Sequence, residues 1–142
     1  MEYSTIRKIL GGYKNIPLLK NDFDIIKLSQ TGLTKKSLQA FSRYSNIPML
    51  QLHDFLPLSF RTIQRYKSTD HFNPRISEQV IQMAEVFARG EEVFENKEKF
   101  FSWLNFPHSA FDTKKPISLL SSIKGREMVM NELGRIEHGV YI

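Results

Sequence analysis

A chain of 142 residues suffices for one domain or two small helical modules, and its 41% hydrophobic and 12% aromatic content favours a packed core over disorder. Cysteine is absent, which excludes disulfides, thiolate catalysis and cysteine-ligated metals, and no apolar run approaches the ~20 residues of a membrane span. The net charge of +5 is uneven: residues 1–72 hold 11 Lys/Arg against 5 Asp/Glu, residues 73–142 hold 9 against 10. An excess confined to the first half points to a nucleic-acid surface there, or to an ordinary solvated basic face.

Helix signals follow one another along the chain. Asn21-Asp22 can cap a segment carrying Phe23, Ile25, Ile26 and Leu28, broken at Gly32, and Thr34 starts the next, Lys35 to Tyr44, with Leu38 and Phe41 on one face. Pro48 suits the first turn of a helix from Met49 to Phe55. After Pro57-Leu58, Ser59 caps a segment running Phe60 to Lys67, with Phe60, Ile63 and Tyr66 at helical spacing. Asn73-Pro74 is a break. Ser77 opens a helix from Glu78 to Arg89, for which Gly90 is the expected stop. Asn96 caps Lys97 to Asn105, burying Phe100, Phe101 and Leu104; Pro116 begins one turn through Leu120; Ser122 caps a last helix with Ile123, Met128, Val129, Leu133 and Ile136 as its apolar set. The fold class is all-α.

Catalytic and metal signatures are missing. His53, His71, His108 and His138 have no helical metal-site spacing, no nucleophile elbow occurs, and the glycines lack phosphate-loop or dinucleotide spacing. Glu91, Glu92, Glu95 and Glu98 cluster near a helix start, where dipole complementarity and solubility explain them better than paired acid–base work. No enzyme, cofactor, metal or small-molecule substrate is expected. The N-terminus, with Glu2 ahead of any apolar cluster, has no secretory pattern, so a cytoplasmic protein without membrane association is expected.

Two surfaces remain as candidates. The short helices at 49–56 and 59–67 resemble a helix-turn-helix, in which Arg61 and Arg65 could bond guanine, Gln64 could read adenine, and Ser59, Thr62 and Lys67 could hold phosphates. A basic amphipathic core helix fits the same spacing. In the last helix Gly125 and Gly134 each cost ~1 kcal/mol relative to alanine, which the close approach of another backbone would justify, while Gly139 is the expected stop. Arg126, Arg135 and His138 place cations there, to favour the helix dipole or to meet an acidic or phosphate-binding pocket on a partner. A chain stopping so soon after that glycine is expected to have its terminus packed or placed against something.

Taken as an ordered set, Arg61-Thr62-Ile63-Gln64-Arg65, Ser77 with Ala84, Val93-Phe94, Trp103-Leu104, Pro116-Ile117-Ser118-Leu119-Leu120, Gly125, and Leu133-Gly134-Arg135-Ile136-Glu137-His138-Gly139-Val140 resemble the Xre/MbcA/ParS family of antitoxins. The charged Phe111–Lys115 stretch and Ser121–Lys124 depart from that family's pattern. The resemblance implies an N-terminal Xre-like helix-turn-helix or dimerisation module at 30–90, after an unassigned extension at 1–29, and a small helical toxin-binding domain at 91–142. It implies the antitoxin of a bacterial type II toxin–antitoxin pair, whose partner is a RES-domain toxin that acts on NAD or uses it to modify a target. It also implies a homodimer within the complex and autoregulation at the operon's promoter DNA. The residues expected at DNA are Ser59, Arg61, Thr62, Gln64, Arg65 and Lys67; those expected at the toxin are Lys124, Gly125, Arg126, Arg135, His138, Gly139 and Tyr141. A helix-turn-helix regulator without a toxin partner is the alternative.

Overall fold

The computed structural model describes residues 2–139, and it is all-α: extended pairing among these residues is limited to isolated bridges, Thr34 with His71 and His108 with Lys114. The chain divides into two compact units, residues 1–85 and 86–142.

The first unit holds α1 (Glu2–Ile9), α2 (Asp22–Thr31), α3 (Lys35–Ser45), a 3-10 turn (Met49–Asp54), α4 (Phe60–Arg65) and the opening of α5 (Pro74–Phe94). Local chemistry sets its helix starts. Asn21 accepts from the Asp24 amide and Asp24 reaches back to the Lys20 amide, so side-chain oxygens satisfy donors that the first turn of α2 leaves free. Thr34 accepts from Ser37 at the head of α3. Gly32, at φ +91, ends α2, and a Cβ there would stand 2.3 Å from the carbonyl oxygen of Phe72. That close approach is stitched by Phe72 N–H to Leu33 O at 2.8 Å and by Leu33 N–H to the Ser77 hydroxyl at 2.9 Å. Leu38, Phe41, Leu52, Ile63, Phe72 and Val80 form the middle of the core. A cavity of about 310 Å³ in this unit has Ile16, Leu28 and Leu33 in its wall, and no α4 side chain lines it.

Two expectations need correction here, one at Pro48 and one at Ser77. The segment after Pro48 is a 3-10 turn rather than an α-helix, with Leu52 buried and Leu50 60% exposed. In α2 only Leu28 is buried; Phe23 and Ile26 face outward. α5 begins at Pro74, where a proline lacks only a donor that would be unsatisfied anyway. Asn73 accepts from the Ile76 amide at 2.9 Å, and Ser77 is an interior residue rather than the helix start.

α5 also does not stop at Gly90. It continues to Phe94, and the left-handed Glu95 (φ +55) follows it. The physical reason for the glycine is lateral: a Cβ on residue 90 would lie 2.1 Å from the ring of Phe100, which is fully buried. The second unit is built around that contact, from the end of α5, α6 (Lys97–Leu104), 3-10 turns at Ser109–Phe111 and Pro116–Leu119, and α7 (Ile123–Glu137). Asn96 caps α6 through the Lys99 amide. Phe87 meets Phe100 and Phe101 edge-on at 5.7 and 5.6 Å, a favoured arrangement of aromatic quadrupoles. Trp103 packs against Phe94, His108 and Phe111, and His108 hydrogen-bonds the Trp103 carbonyl through Nε2. Val129 and Leu133 present the inner face of α7. Ile123 and Met128, expected inside, are exposed.

Candidate functional site

The outer face of α4 is held from both ends. At its start, the Ser59 hydroxyl accepts from the Thr62 amide and lies 2.9 Å from the Thr62 hydroxyl, so both expected phosphate-binding hydroxyls take part in the cap. Ile63 is buried beneath the helix. At its end the Lys35 ammonium donates to the Tyr66 carbonyl at 2.9 Å, a cation placed where the helix leaves its carbonyls unpaired. The first amides of α3 are satisfied in turn by this region, Lys35 N–H by Asp70 O and Lys36 N–H by Ser68 O. Lys67 lies past the helix, in the turn its amide closes with the Asp70 carboxylate.

Three side chains are therefore left on the outer surface of α4: Arg61, Gln64 and Arg65, spaced i, i+3, i+4 and exposed, with no ion pair among the described residues. Residues 1–85 carry 12 Lys/Arg against 7 Asp/Glu, residues 86–142 carry 8 against 8, so the whole excess of charge belongs to the unit that bears α4. Lys35 is a positioning residue that no local sequence signal marks, because its role depends on a carbonyl 31 residues away.

At α7 the expected residues separate into two groups. Ser122 caps the helix through the Gly125 amide at 3.0 Å. A Cβ on Gly125 would stand 1.8 Å from the carbonyl oxygen of Leu119, so the backbone that requires this glycine is the chain's own and not a partner's, as had been expected. Arg126 is 5% exposed and donates to the Leu120 carbonyl at 2.9 Å; its guanidinium fastens the preceding turn rather than facing outward. Lys124, Arg135, His138 and Gly139 are exposed. Lys124 pairs with Glu127 at 3.2 Å, Arg135 with Glu132 at 3.4 Å, and His138 Nδ1 bonds the Gly134 carbonyl at 2.7 Å. Gly139 adopts φ +72, the left-handed conformation of a helix stop. Tyr141 lies outside the described residues.

Met128, expected in the apolar set of this helix, and Asn131, which no sequence signal marks, join this surface. Lys124, Met128, Asn131, Arg135 and His138 fall at i, i+4, i+7, i+11 and i+14, a stripe whose spacing was visible in the sequence. A cleft of about 120 Å³ opens beside it, between Ala110 and Phe111 on one side and Met128, Asn131, Glu132 and Arg135 on the other. The end of α7 is clasped by a two-pronged ion pair: Arg89 Nη2 to Glu137 Oε1 at 2.5 Å and Nη1 to Oε2 at 3.0 Å, with Glu92 also on Nη1 at 2.7 Å. The hydrogen bond with Glu137 holds the arginine above its ordinary pKa, and the same bond holds the Glu137 carboxyl below its own.

In the first unit Glu85 is pushed up to about 7, chiefly by burial and then by Glu2 and Asp22, while Tyr3, donating to Asp22, is pushed up to about 12. Among the described residues no group of three or more His, Asp or Glu is placed to hold a metal ion, and no helix is long and apolar enough to cross a membrane.

Comparison with known proteins bears on what the exposed face of α7 does. Residues 89–139 match the family described as the antitoxin Xre/MbcA/ParS C-terminal toxin-binding domain. Over 120 residues the chain is 26% identical to the protein named Antitoxin Xre from Yersinia enterocolitica serotype O:8 / biotype 1B (strain NCTC 13174 / 8081), a span covering 83% of this chain and 79% of that one. Residues 89–139 are thus similar to the toxin-binding domain of Xre/MbcA/ParS-family antitoxins, and most of the chain is similar to one protein of that name.

Proposed function

We propose that this protein is the antitoxin of a bacterial type II toxin–antitoxin pair, acting in the cytoplasm on a RES-domain toxin that consumes NAD. The second unit supplies the toxin-binding surface through Lys124, Arg135, His138, Gly139 and Tyr141. Gly125 and Arg126 serve it from inside, by setting the start of α7. Occlusion is steric and electrostatic: α7 and the residues after it cover the pocket that would otherwise receive the dinucleotide. The observation that carries this reading is the coincidence of the toxin-binding-domain match at 89–139 with a compact unit whose helix end presents exposed cations.

The first unit is proposed to bind promoter DNA as a homodimer, with Arg61, Gln64 and Arg65 at base edges and Ser59, Thr62 and Lys67 at phosphates. The exposed outer face of α4, without ion pairs among the described residues and in the basic unit, supports this. The same face favours a second reading, a transcriptional regulator without a toxin partner. Co-expression with the product of the adjacent gene tests the two. Neutralisation that is lost on removing Arg135 to Ile142 supports the antitoxin; neutralisation surviving that deletion overturns the occlusion mechanism. No complex with that product, alongside specific promoter binding, would favour the regulator.

A further inference from the structure

Gly90, Gly125 and Gly134 all stand inside helices of the second unit, yet only two have an internal reason to be glycine. Gly90 makes room for the Phe100 ring and Gly125 for the Leu119 carbonyl. At Gly134 a Cβ would meet nothing within 4 Å among the described residues, and the residue is in ordinary helical conformation inside α7. Alanine would fit there without a clash and would favour the helix, since glycine loses the most backbone freedom on ordering. Neither a turn nor a neighbouring group of the described chain calls for the bare backbone.

Its surroundings point outward. Ile123, Glu127, Met130, Gly134 and His138 lie at i, i+4, i+7, i+11 and i+15, one face of the helix, turned away from the inner stripe of Gly125, Val129 and Leu133. Ile123, at 73% exposed, is among the most exposed large apolar residues of the chain, and Met130 is half-buried on the same line. Glu127 is the one Asp, Glu, Lys or Arg among these five residues, so the face lacks the cations that attract a phosphate backbone and suits a protein surface with an apolar strip.

We propose that the toxin's main chain crosses α7 at Gly134, with an apolar segment of the toxin lying along Ile123 and Met130. This rests on the reading of the second unit as the toxin-binding surface, and says which face is used. A missing side chain lets two backbones come closer than the usual 8–10 Å between packed helix axes, so any side chain at residue 134 would force them apart.

The test uses the full chain co-expressed with the tagged product of the adjacent gene, measuring complex affinity, toxin neutralisation, and melting temperature and oligomeric state of the free antitoxin. Gly134→Ala should raise the melting temperature of the free protein while weakening the complex tenfold or more. Gly134→Leu should keep a helical circular-dichroism spectrum and abolish neutralisation, and Ile123→Ser should weaken binding with the melting temperature unchanged. A wild-type complex with all three variants binding as tightly would overturn this inference and leave the functional reading standing. Variants that bind toxin normally but change the oligomeric state would assign the face to a second copy of the chain and overturn it too. Failure of the wild-type protein to bind would overturn the functional reading and the inference together.

Discussion

The ring of the buried Phe100 closes over the backbone of Gly90 so tightly that a methyl group on residue 90 would sit 2.1 Å from its carbons. The ring cannot easily move aside, because Phe87, Phe94 and Trp103 surround it. Gly90→Ala is therefore expected to destabilise the protein by ~1–3 kcal/mol, the usual cost of overpacking a filled core, despite alanine's better helix propensity. Chemical denaturation followed by the fluorescence of Trp103 measures it; a variant as stable as wild type would mean that the ring has somewhere else to go.

Arg126 offers a second test, because its guanidinium holds the Leu120 carbonyl from inside the second unit. Truncation to alanine leaves that acceptor buried and removes the packing of a long side chain, a loss of ~1–3 kcal/mol. The accompanying loss of toxin neutralisation should track unfolding, and should recover at low temperature, where enough folded protein remains. Arg135→Ala, at an exposed position, should weaken neutralisation at every temperature and leave the melting temperature nearly unchanged.

Charge reversal of Arg61 and Arg65 bears on the nucleic-acid surface. Arg61→Glu with Arg65→Glu is expected to abolish promoter binding in a fluorescence-anisotropy titration. The melting temperature should hold, since both side chains are exposed and without ion pairs among the described residues. The single substitution Lys67→Ala should instead reduce the slope of log affinity against log salt by about one, as expected for one phosphate contact. Indifference to all three would identify the basic face as merely solvated.

The pH dependence should carry the mark of Glu85. Its folded pKa of about 7 lies above the ordinary 4.5, so the folded protein keeps a proton that the unfolded chain gives up as pH rises from 4.5. This contribution to stability is fully present below about 4.5 and is lost as pH climbs through about 7. Melting temperatures measured from pH 4.5 to pH 8 should show Glu85→Gln gaining on wild type up to about pH 7 and levelling off above it. A constant difference across that range would contradict the burial of this carboxyl.

Much of the fold was legible because helix starts are local. Asn21, Thr34, Ser59, Asn96 and Ser122 each read as a cap, and each accepts a hydrogen bond from the amide three residues on. What escaped depends on residues distant in the chain or in an adjoining turn. Gly90 resembles a stop until Phe100 is seen against it, and Gly125 looks like a site for a partner until Leu119 is found beside it. Arg126 reads as a surface cation because nothing in the local pattern announces the Leu120 carbonyl that it reaches. The outer face of α4 was easier, since i, i+3, i+4 spacing around a buried Ile63 already turns Arg61, Gln64 and Arg65 outward.

The fastening at the head of α7 has a consequence for kinetics. The Ser122 hydroxyl, the Leu119 carbonyl pressed on Gly125 and the Arg126 guanidinium on Leu120 fix the helix to the turn before it. The entropy of ordering α7 is thereby lost during folding, and little of it is left to be lost on meeting a partner. Association should then behave as the docking of a finished surface, with single-step kinetics, and differences in affinity among α7 variants should lie in how long complexes last.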